Sequence, residues 1–391
     1  MKTNRREFIR RSTQTTCGFL LANSALETVA ARPAAAQRVR AKPRECMFYV
    51  KLDDRQVRCQ LCPHGCLIPE GERGLCGVRE NRGGTLRTLA HNRVCSLNID
   101  PIEKKPFYHY LPGTSAVSIA TAGCNMTCKF CQNWQLSQSR PEKLRHRDAT
   151  AAQLVNLTID RHVPTIAYTY NEPVIFSEYV HDVAKLGRTR DVGSVMISNG
   201  FINEKPMREL VKHVTAVKVD LKAFTDKFYR DVCGASLQPV LDNLKVLRST
   251  GIHLEIVVLL IPTLNDGADE IRRMSGWIVK NLGPDVPVHF SRFHPTYKMK
   301  NLPRTPVKTV ERARDIAVKA GIHYAYVGNV PRHDYGHTYC HHCKTLLIER
   351  IGYRLARNLV VGGKCPKCNT KIPGVWSQKD GLGFRPKTKK G

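Results

Sequence analysis

Three cysteines lie within the short stretch GCNMTCKFCQNW, at Cys124, Cys128 and Cys131. A tetrahedral zinc site needs four ligands and a disulfide needs two, so a set of three thiols indicates other chemistry. Thiolates are soft ligands that hold iron–sulfur clusters, and three of them leave one iron of a [4Fe-4S] cluster open to a substrate or cofactor. Gly123 permits a tight turn into the loop, and Phe130 can shield a cluster. We therefore predict that these cysteines bind a [4Fe-4S] cluster.

A second group of cysteines precedes this loop, in the stretch CQLCPHGCLIPEGERGLC. Its members are Cys59, Cys62, Cys66 and Cys76. Four thiolates can bind a tetrahedral zinc ion or an auxiliary iron–sulfur cluster. The close C-x2-C pairing favours a metal over disulfides or free thiols, and it leaves the choice between zinc and iron open. His64, in the same stretch, is a candidate ligand, but we favour its interpretation as a turn residue.

A third group lies near the end of the chain, in the motifs CHHC and CPKC. Its members are Cys340, Cys343, Cys365 and Cys368, spaced C-x2-C-x21-C-x2-C. Each pair can form a metal-binding turn with a β-hairpin between the pairs, which is typical of a zinc ribbon. We predict a structural role for the zinc, because metal binding can hold a segment that is too small for its own hydrophobic core.

The chain after residue 114 alternates short apolar runs with helical patterns. The runs cover residues 115–121, 165–170, 192–198, 216–221, 253–262 and 286–293. Between them, apolar residues recur every three or four positions, as in amphipathic helices. Strands that alternate with helices form a parallel sheet, and six such units predict an α/β fold with a partial (β/α)6 barrel of the TIM type. The loops that follow the strands then build the active site.

Composition and motifs divide the 391 residues into five parts. They are a leader (1–36), an N-terminal Cys-rich segment (45–112), a core domain (113–333), a zinc-ribbon-like segment (338–376) and a basic tail (377–391). Hydrophobic residues make up 42% of the chain, yet no apolar run reaches the roughly 18 residues that a membrane span needs. The net charge of +29 comes from scattered basic residues, so it does not indicate a nucleic-acid interface.

The leader contains Arg5 and Arg6, a mildly apolar stretch at residues 17–26 and three alanines at residues 34–36. It resembles a twin-arginine signal, which exports folded proteins that already hold their cofactors. This resemblance implies a periplasmic location, and a cytoplasmic location is the alternative.

The C-x3-C-x2-C spacing, with the aromatic Phe130 directly before the last cysteine, resembles the signature of the radical SAM superfamily. In that superfamily the open iron binds the amino and carboxylate groups of S-adenosylmethionine. One electron cleaves the sulfonium to methionine and a 5′-deoxyadenosyl radical, which abstracts a hydrogen atom from the substrate. The resemblance implies a [4Fe-4S] cluster, S-adenosylmethionine and an electron donor.

Polar stretches follow further strands, and three of them are similar to stretches of glycyl-radical activating enzymes. TYNEP stands where those enzymes have Gly-Gly-Glu-Pro, with Tyr170 and Asn171 in place of the glycines. SNG and DLK correspond to their Thr-Asn-Gly and Asp-Leu-Lys stretches. The resemblance implies cofactor contacts at Glu172, Asn199, Asp220 and Lys222. The missing glycines put in doubt the substrate of those enzymes, a glycine on a large partner protein.

Longer stretches resemble the radical SAM member of the AmmeMemoRadiSam system, between about residues 45 and 376. They are LCPHGC, GLCGVREN, DPIEKKPFYHYLPG, CQNWQLSQ, YTYNEP and FSRFHPTYKM. That family's genes are typically found with those of Memo-like and AMMECR-like proteins, which the resemblance implies as partners. The substrate stays open: a protein residue, a small aromatic or lipid-like molecule, or a nucleotide. An RNA-modifying radical SAM enzyme and a non-enzymatic zinc-binding interaction module are the alternatives.

Overall fold

The computed structural model describes residues 43–330, 334–377 and 380. The leader lies outside these residues, as does the basic tail apart from Ser377 and Asp380. Export by the twin-arginine route therefore stays a prediction. Within the described ranges, no helix is both long enough and apolar enough to cross a membrane.

An eight-stranded sheet forms the centre of the chain. Its strands are β1 (Ser96–Pro101), β2 (Ser115–Ala120), β3 (Thr165–Tyr168), β4 (Gly193–Ser198), β5 (Ala216–Asp220), β6 (His253–Leu260), β7 (Val288–Arg292) and β8 (Ala325–Gly328). Their spatial order follows the chain order, and only β1 and β2 pair in antiparallel fashion. The prediction of an α/β fold with a mostly parallel sheet is confirmed, since β2–β7 coincide with the six apolar runs.

The sequence patterns do not indicate β1 and β8. β1 is an edge strand in which Leu97 and Ile99 are 41% and 46% exposed, and its sequence SLNIDP alternates polar and apolar residues instead of forming an apolar run. β8 has only four residues. Such short or half-exposed strands depend on pairing with their neighbours, which a local pattern does not report.

Six helices connect the parallel strands. They are α1 (Ala151–Asp160), α2 (Ser177–Arg188), α3 (Glu204–Leu210), α4 (Gln238–Thr250), α5 (Ala268–Leu282) and α6 (Val307–Lys319). A capping box starts α1: the hydroxyl of Thr150 accepts from the backbone N of Gln153, whose side chain accepts from the backbone N of Thr150. Shorter helical segments are Ile102–Lys104, Trp134–Ser137, Pro141–Lys143, Pro173–Phe176, Asp226–Phe228, Tyr229–Cys233 and Asp334–Gly336. The crossovers place the carboxyl ends of β2–β8 at one edge of the sheet.

Short strands build the two Cys-rich segments. Those near the N-terminus are Arg44–Glu45, Tyr49–Lys51, Val57–Cys59, Leu67–Ile68, Arg79–Arg82, Thr85–Thr88 and Arg93–Val94. The last of these pairs with Arg147–Asp148, and the other six form two antiparallel sheets of three strands each. The C-terminal strands are Thr338–Tyr339, Leu346–Ile351 and Arg354–Asn358. They form one antiparallel sheet, so the hairpin predicted between the two cysteine pairs is present.

Buried polar side chains attach the C-terminal segment to the central sheet. Glu255, on β6, accepts a hydrogen bond from the backbone N of His109 at 2.8 Å. The ring of His109 donates to the carbonyl of Pro373 and accepts from the hydroxyl of Tyr326, both at 2.6 Å. Burial lowers the pKa of His109 to about 3, which keeps the ring in the neutral form that this pairing requires. His109, in the PFYHY stretch, therefore has a structural role.

Candidate active site

The three-cysteine loop begins directly after β2, at the carboxyl edge of the sheet. Gly123 has a φ of +89°, and a Cβ atom at this position would lie 2.5 Å from the carbonyl oxygen of Cys76. Only glycine fits there, because both the backbone conformation and the available space exclude a side chain. This close approach brings the loop into contact with the N-terminal Cys-rich segment.

Side chains from two neighbouring segments hold the loop in place. Asn171 donates to the carbonyl of Gly123 at 2.9 Å and accepts from the backbone N of Thr121 at 3.3 Å. Tyr170 has a φ of +69°, and its carbonyl accepts from the side chain of Asn133 at 2.8 Å. The two residues that replace the glycines of glycyl-radical activating enzymes thus have a positioning role that the sequence did not reveal.

Glu172 is buried beside the loop. Its carboxylate accepts hydrogen bonds from the hydroxyl of Ser198 and the backbone N of Asn199, both at 2.7 Å. Burial raises the pKa of Glu172 to about 7, against the opposing effect of these donors. The side chain of Asn199 donates to Asn125 at 2.9 Å, and its nitrogen lies 4.0 Å from the sulfur of Cys124. Two predicted cofactor contacts therefore lie next to the first cysteine of the loop.

Asp220 and Lys222 lie at the carboxyl end of β5. Asp220 pairs with Lys222 at 2.9 Å and also with the buried Lys218. Burial disfavours the charge of Asp220, but the two ammonium groups outweigh it and lower the pKa to about 2. Burial also disfavours the charge of Lys222, but Asp220 and Cys128 outweigh it and raise the pKa of Lys222. Lys222, whose ammonium lies 6.0 Å from the ring centre of Phe130, therefore stays charged near Cys128.

One cavity of about 1120 Å³ contains the predicted cluster ligands together with the predicted cofactor contacts. Its lining includes Cys124, Cys128, Cys131, Glu172, Asn199, Asp220 and Lys222. The three thiols are not among the described groups whose ligand atoms all lie within 4.8 Å of one another. Such a spacing is wider than a single tetrahedral zinc ion imposes, so the donor set fits a cluster.

The same cavity is rich in cationic side chains. Its described lining includes Lys104, Lys105, Lys218, Lys222, Arg292, Arg304 and Arg350, against the carboxylates of Glu172 and Asp220. Asp100, which is not among the lining residues, forms ion pairs with Lys104 and Lys105 at 2.9 and 2.6 Å. Partial burial and the charge of Arg304 lower the pKa of Arg292, so the two arginines lie near each other. The cavity therefore favours anions.

The four N-terminal cysteines meet around a second, smaller cavity. Its lining includes Cys59, Cys62, Cys66, Cys76, Arg79 and Asn125. His64 donates from Nε2 to the carbonyl of Asn125 at 2.7 Å, because a carbonyl can only accept. That nitrogen is therefore engaged, in keeping with the interpretation of His64 as a turn residue.

The four C-terminal cysteines lie closer together, with all four sulfur atoms within 4.8 Å of one another. The sulfur atoms of Cys340 and Cys368 are 3.6 Å apart, as are those of Cys343 and Cys365. A hydrogen bond with the hydroxyl of Thr370 lowers the pKa of Cys368 to about 5. Because metals bind thiolates rather than thiols, this group is suited to hold a metal ion.

Cys233 is a site residue that the sequence did not indicate. It belongs to the helical turn Tyr229–Cys233, is fully buried, and lies close enough to Cys128 to lower the pKa of that thiol. The sequence shows it as an isolated cysteine with no spacing signal. Only the packing of this turn against the loop, in which the backbone N of Thr127 donates to the carbonyl of Cys233 at 2.9 Å, brings it to the site.

Residues 118–274 match the family model of the Radical SAM superfamily. The chain is 44% identical over 331 residues to the uncharacterized protein MJ0808 of Methanocaldococcus jannaschii, which covers 84% of this chain and 98% of the relative. The chain therefore belongs to the radical SAM superfamily, whose members are enzymes that need an electron donor.

The chain also has more distant similarities. The chain is 23% identical over 192 residues to the pyruvate formate-lyase-activating enzyme of Clostridium pasteurianum, covering 47% of this chain and 76% of the relative. Among solved structures, a radical SAM methyltransferase from Sphaerobacter thermophilus superposes with a TM-score of 0.46 at 18% identity, covering 57% of this chain and 68% of the other.

Proposed function

We propose that this chain binds a [4Fe-4S] cluster through Cys124, Cys128 and Cys131 and uses it to cleave S-adenosylmethionine reductively. When bound, the two cofactors supply methionine and a 5′-deoxyadenosyl radical for hydrogen abstraction. The proposal rests on the single cavity that holds the three thiols and the four predicted cofactor contacts. It is tested by anaerobic purification, iron and sulfide analysis, and an assay for 5′-deoxyadenosine after reduction with S-adenosylmethionine.

The protein residues of the cavity have separate tasks in this proposal. Glu172 offers a buried carboxylate to the ammonium group of the methionine moiety, held in place by Ser198 and Asn199. Asp220 and Lys222 form a charged pair at the carboxyl end of β5, where they orient polar groups of the cofactor. Phe130 is buried and excludes water from the cluster side of the cavity.

Glu172→Gln should weaken the binding of S-adenosylmethionine at least tenfold at pH 7.5, because a hydrogen bond to a charged group contributes about 1.5–3 kcal/mol. The wild-type affinity should rise between about pH 5.5 and 7, since the carboxyl group, with a pKa of about 7, must lose its proton to pair with an ammonium. The variant should lack this rise. Anaerobic equilibrium dialysis with labelled S-adenosylmethionine measures both effects.

Glu103→Gln is the matched control for this experiment. Glu103 is also buried with a raised pKa, but it accepts from the backbone N of Gly113 at 2.7 Å and does not line the cavity. Its replacement should leave the affinity and its pH dependence unchanged. Equal behaviour of the two variants would contradict the role of Glu172.

We further propose that the substrate is an anion, because cationic side chains outnumber carboxylates around the cavity. The component of a cell extract that stimulates 5′-deoxyadenosine formation should be retained by an anion exchanger. In an Arg292→Gln/Arg304→Gln variant, the amount of this component needed for half-maximal stimulation should rise at least tenfold, as expected when ionic contacts are lost. Lys245→Gln, on the exposed face of α4, is the control, and equal stimulation of both variants would exclude an anionic substrate.

The proposal also includes the barrel shape of the sheet, zinc at the C-terminal cysteines and the system to which the enzyme belongs. The sequential strand order supports a sheet curved as a partial (β/α)6 barrel, and the close C-terminal thiols support zinc in a ribbon. The stretches between about residues 45 and 376 support membership of the AmmeMemoRadiSam system, with Memo-like and AMMECR-like partners. An RNA-modifying enzyme stays an alternative, since nucleotides are anions. Membership of an enzyme superfamily argues against a non-enzymatic zinc module.

A further inference from the structure

The three cysteine groups of this chain differ in how far apart their sulfur atoms lie. The C-terminal thiols form pairs at 3.6 Å, close to the ~3.8 Å that a tetrahedral ion with bonds of about 2.3 Å to sulfur imposes. The N-terminal thiols surround one cavity, yet no three of them belong to a described group whose ligand atoms all lie within 4.8 Å. The catalytic loop shares this wider spacing.

We propose that Cys59, Cys62, Cys66 and Cys76 bind an auxiliary [4Fe-4S] cluster. An iron–sulfide cage stands between its thiolate ligands and separates them more widely than a single ion does, as the spacing here requires. The N-terminal group offers four thiols, so every iron has a protein ligand. No iron is then open to a cofactor, and electron transfer is the chemistry that remains.

Arg79 provides a second, independent indication of an anionic group in this cavity. Its side chain is only 1% exposed and lines the same cavity as the four cysteines. One nitrogen of the guanidinium pairs with Glu178 at 2.7 Å, whereas Nε and Nη1 have no hydrogen-bond partner among the described residues. Unpaired buried donors are costly. A cluster with four thiolates is anionic, and its sulfur atoms are the acceptors that these donors lack.

The auxiliary site lies beside the catalytic loop and near the protein surface. Asn125 lines the auxiliary cavity together with Cys62 and directly follows Cys124 in the chain. Leu75 also lines the cavity and is 73% exposed. A cluster held by these four cysteines would accept one electron from an external low-potential donor and would be reoxidised on passing that electron to a cluster held by Cys124, Cys128 and Cys131. This relay step rests on the proposed function, whereas the metal assignment does not.

Metal analysis of the anaerobically purified full chain tests the assignment. We expect about eight iron atoms and about eight sulfides per chain, with about one zinc. The Cys124→Ala/Cys128→Ala/Cys131→Ala variant should keep about half of the iron and sulfide and show a reduced-cluster EPR signal that S-adenosylmethionine does not change. About two zinc ions and no iron in this variant would overturn the inference. Iron retained in the variant, with no cofactor cleavage by the wild type, would overturn only the proposed function.

Two further measurements test the environment and the use of the auxiliary cluster. Arg79→Lys keeps the positive charge opposite Glu178 but loses the planar N–H donors. When this substitution is added to the triple cysteine variant, the midpoint potential of the auxiliary cluster should become more negative. An unchanged potential would exclude hydrogen bonds from Arg79.

Cys62→Ser should lower 5′-deoxyadenosine formation driven by reduced ferredoxin at least tenfold more than formation driven by dithionite. An equal loss with both reductants would exclude the relay.

Discussion

Cys128→Ala is expected to lower the rate of 5′-deoxyadenosine formation at least a thousandfold, to the background of the assay. Cys128 is the middle of the three loop thiols and is buried. Its removal leaves two thiolate ligands for a cluster that needs three, so the cluster, and with it the open iron that binds the cofactor, should not be held stably. The measurement is chromatography of 5′-deoxyadenosine after anaerobic reduction with S-adenosylmethionine, with iron analysis of the same sample.

The neighbouring Cys233 requires a second variant in this experiment. Its thiol lies close enough to Cys128 to lower the pKa of that thiol, so cleavage above background in Cys128→Ala would point to Cys233 as a substitute ligand. Cys128→Ala/Cys233→Ala removes this substitute and should show no cofactor cleavage at all. Cys95→Ser is the control, because Cys95 does not line the cavity and its backbone N pairs with the carbonyl of Ala120. Undiminished cleavage in the double variant, or zinc instead of iron in the wild-type loop, would refute the cluster assignment.

The elements that position the site were accessible from the sequence because they are buried on both faces. A parallel strand such as β3, in which all four residues are buried, requires a nearly continuous run of apolar residues in the sequence. The polar residues directly after such runs then share one edge of the sheet, and the resemblance to glycyl-radical activating enzymes selected Glu172, Asn199 and Asp220 among them. The edge strand β1 lacks this constraint and was missed.

Residues that act through long-range packing were not accessible in the same way. Asn171 was noted only as a departure from a glycine motif, yet its side chain ties the three-cysteine loop to the next strand. Lys218 lies inside an apolar run, and its charge is stabilised by Asp220 two residues later. The role of Arg79 follows only from its position in the folded chain, where it pairs with Glu178 and lines the cavity of the N-terminal cysteines. Each of these partnerships depends on the folded arrangement of distant segments.

The metal at each cysteine group is likewise a property of the folded chain. The N-terminal and C-terminal groups both contain C-x2-C pairs, so spacing along the sequence permits zinc at either. In three dimensions the four C-terminal sulfurs all lie within 4.8 Å of one another, whereas no three of the N-terminal ones, which line a common cavity, lie that close together. The spacing of the sulfur atoms is therefore the observation on which we propose an ion at one group and a cluster at the other, where the motif alone permits both.

Cys365→Ser is expected to remove about one zinc ion per chain and to unfold the C-terminal segment. The free energy of zinc binding, about 10–16 kcal/mol in zinc-finger peptides, is folding free energy for a small segment of this kind. Cys365 is 1% exposed and belongs to a small core with Ile348 and Ile372, which cannot replace that contribution. Zinc analysis and limited proteolysis of the segment around residues 338–376 measure the two effects.

The same substitution should also affect the active site, because the C-terminal segment forms part of the cavity wall. Arg350 lines the cavity and donates to the carbonyl of Tyr108 at 2.8 Å. Unfolding of the segment opens this wall to water, so 5′-deoxyadenosine formation should fall while the iron content stays near that of the wild type. His342→Ala, at an exposed position of the same turn, should keep zinc, protease resistance and activity. A Cys365→Ser protein with unchanged zinc, or with iron lost in place of zinc, would contradict a structural zinc site here.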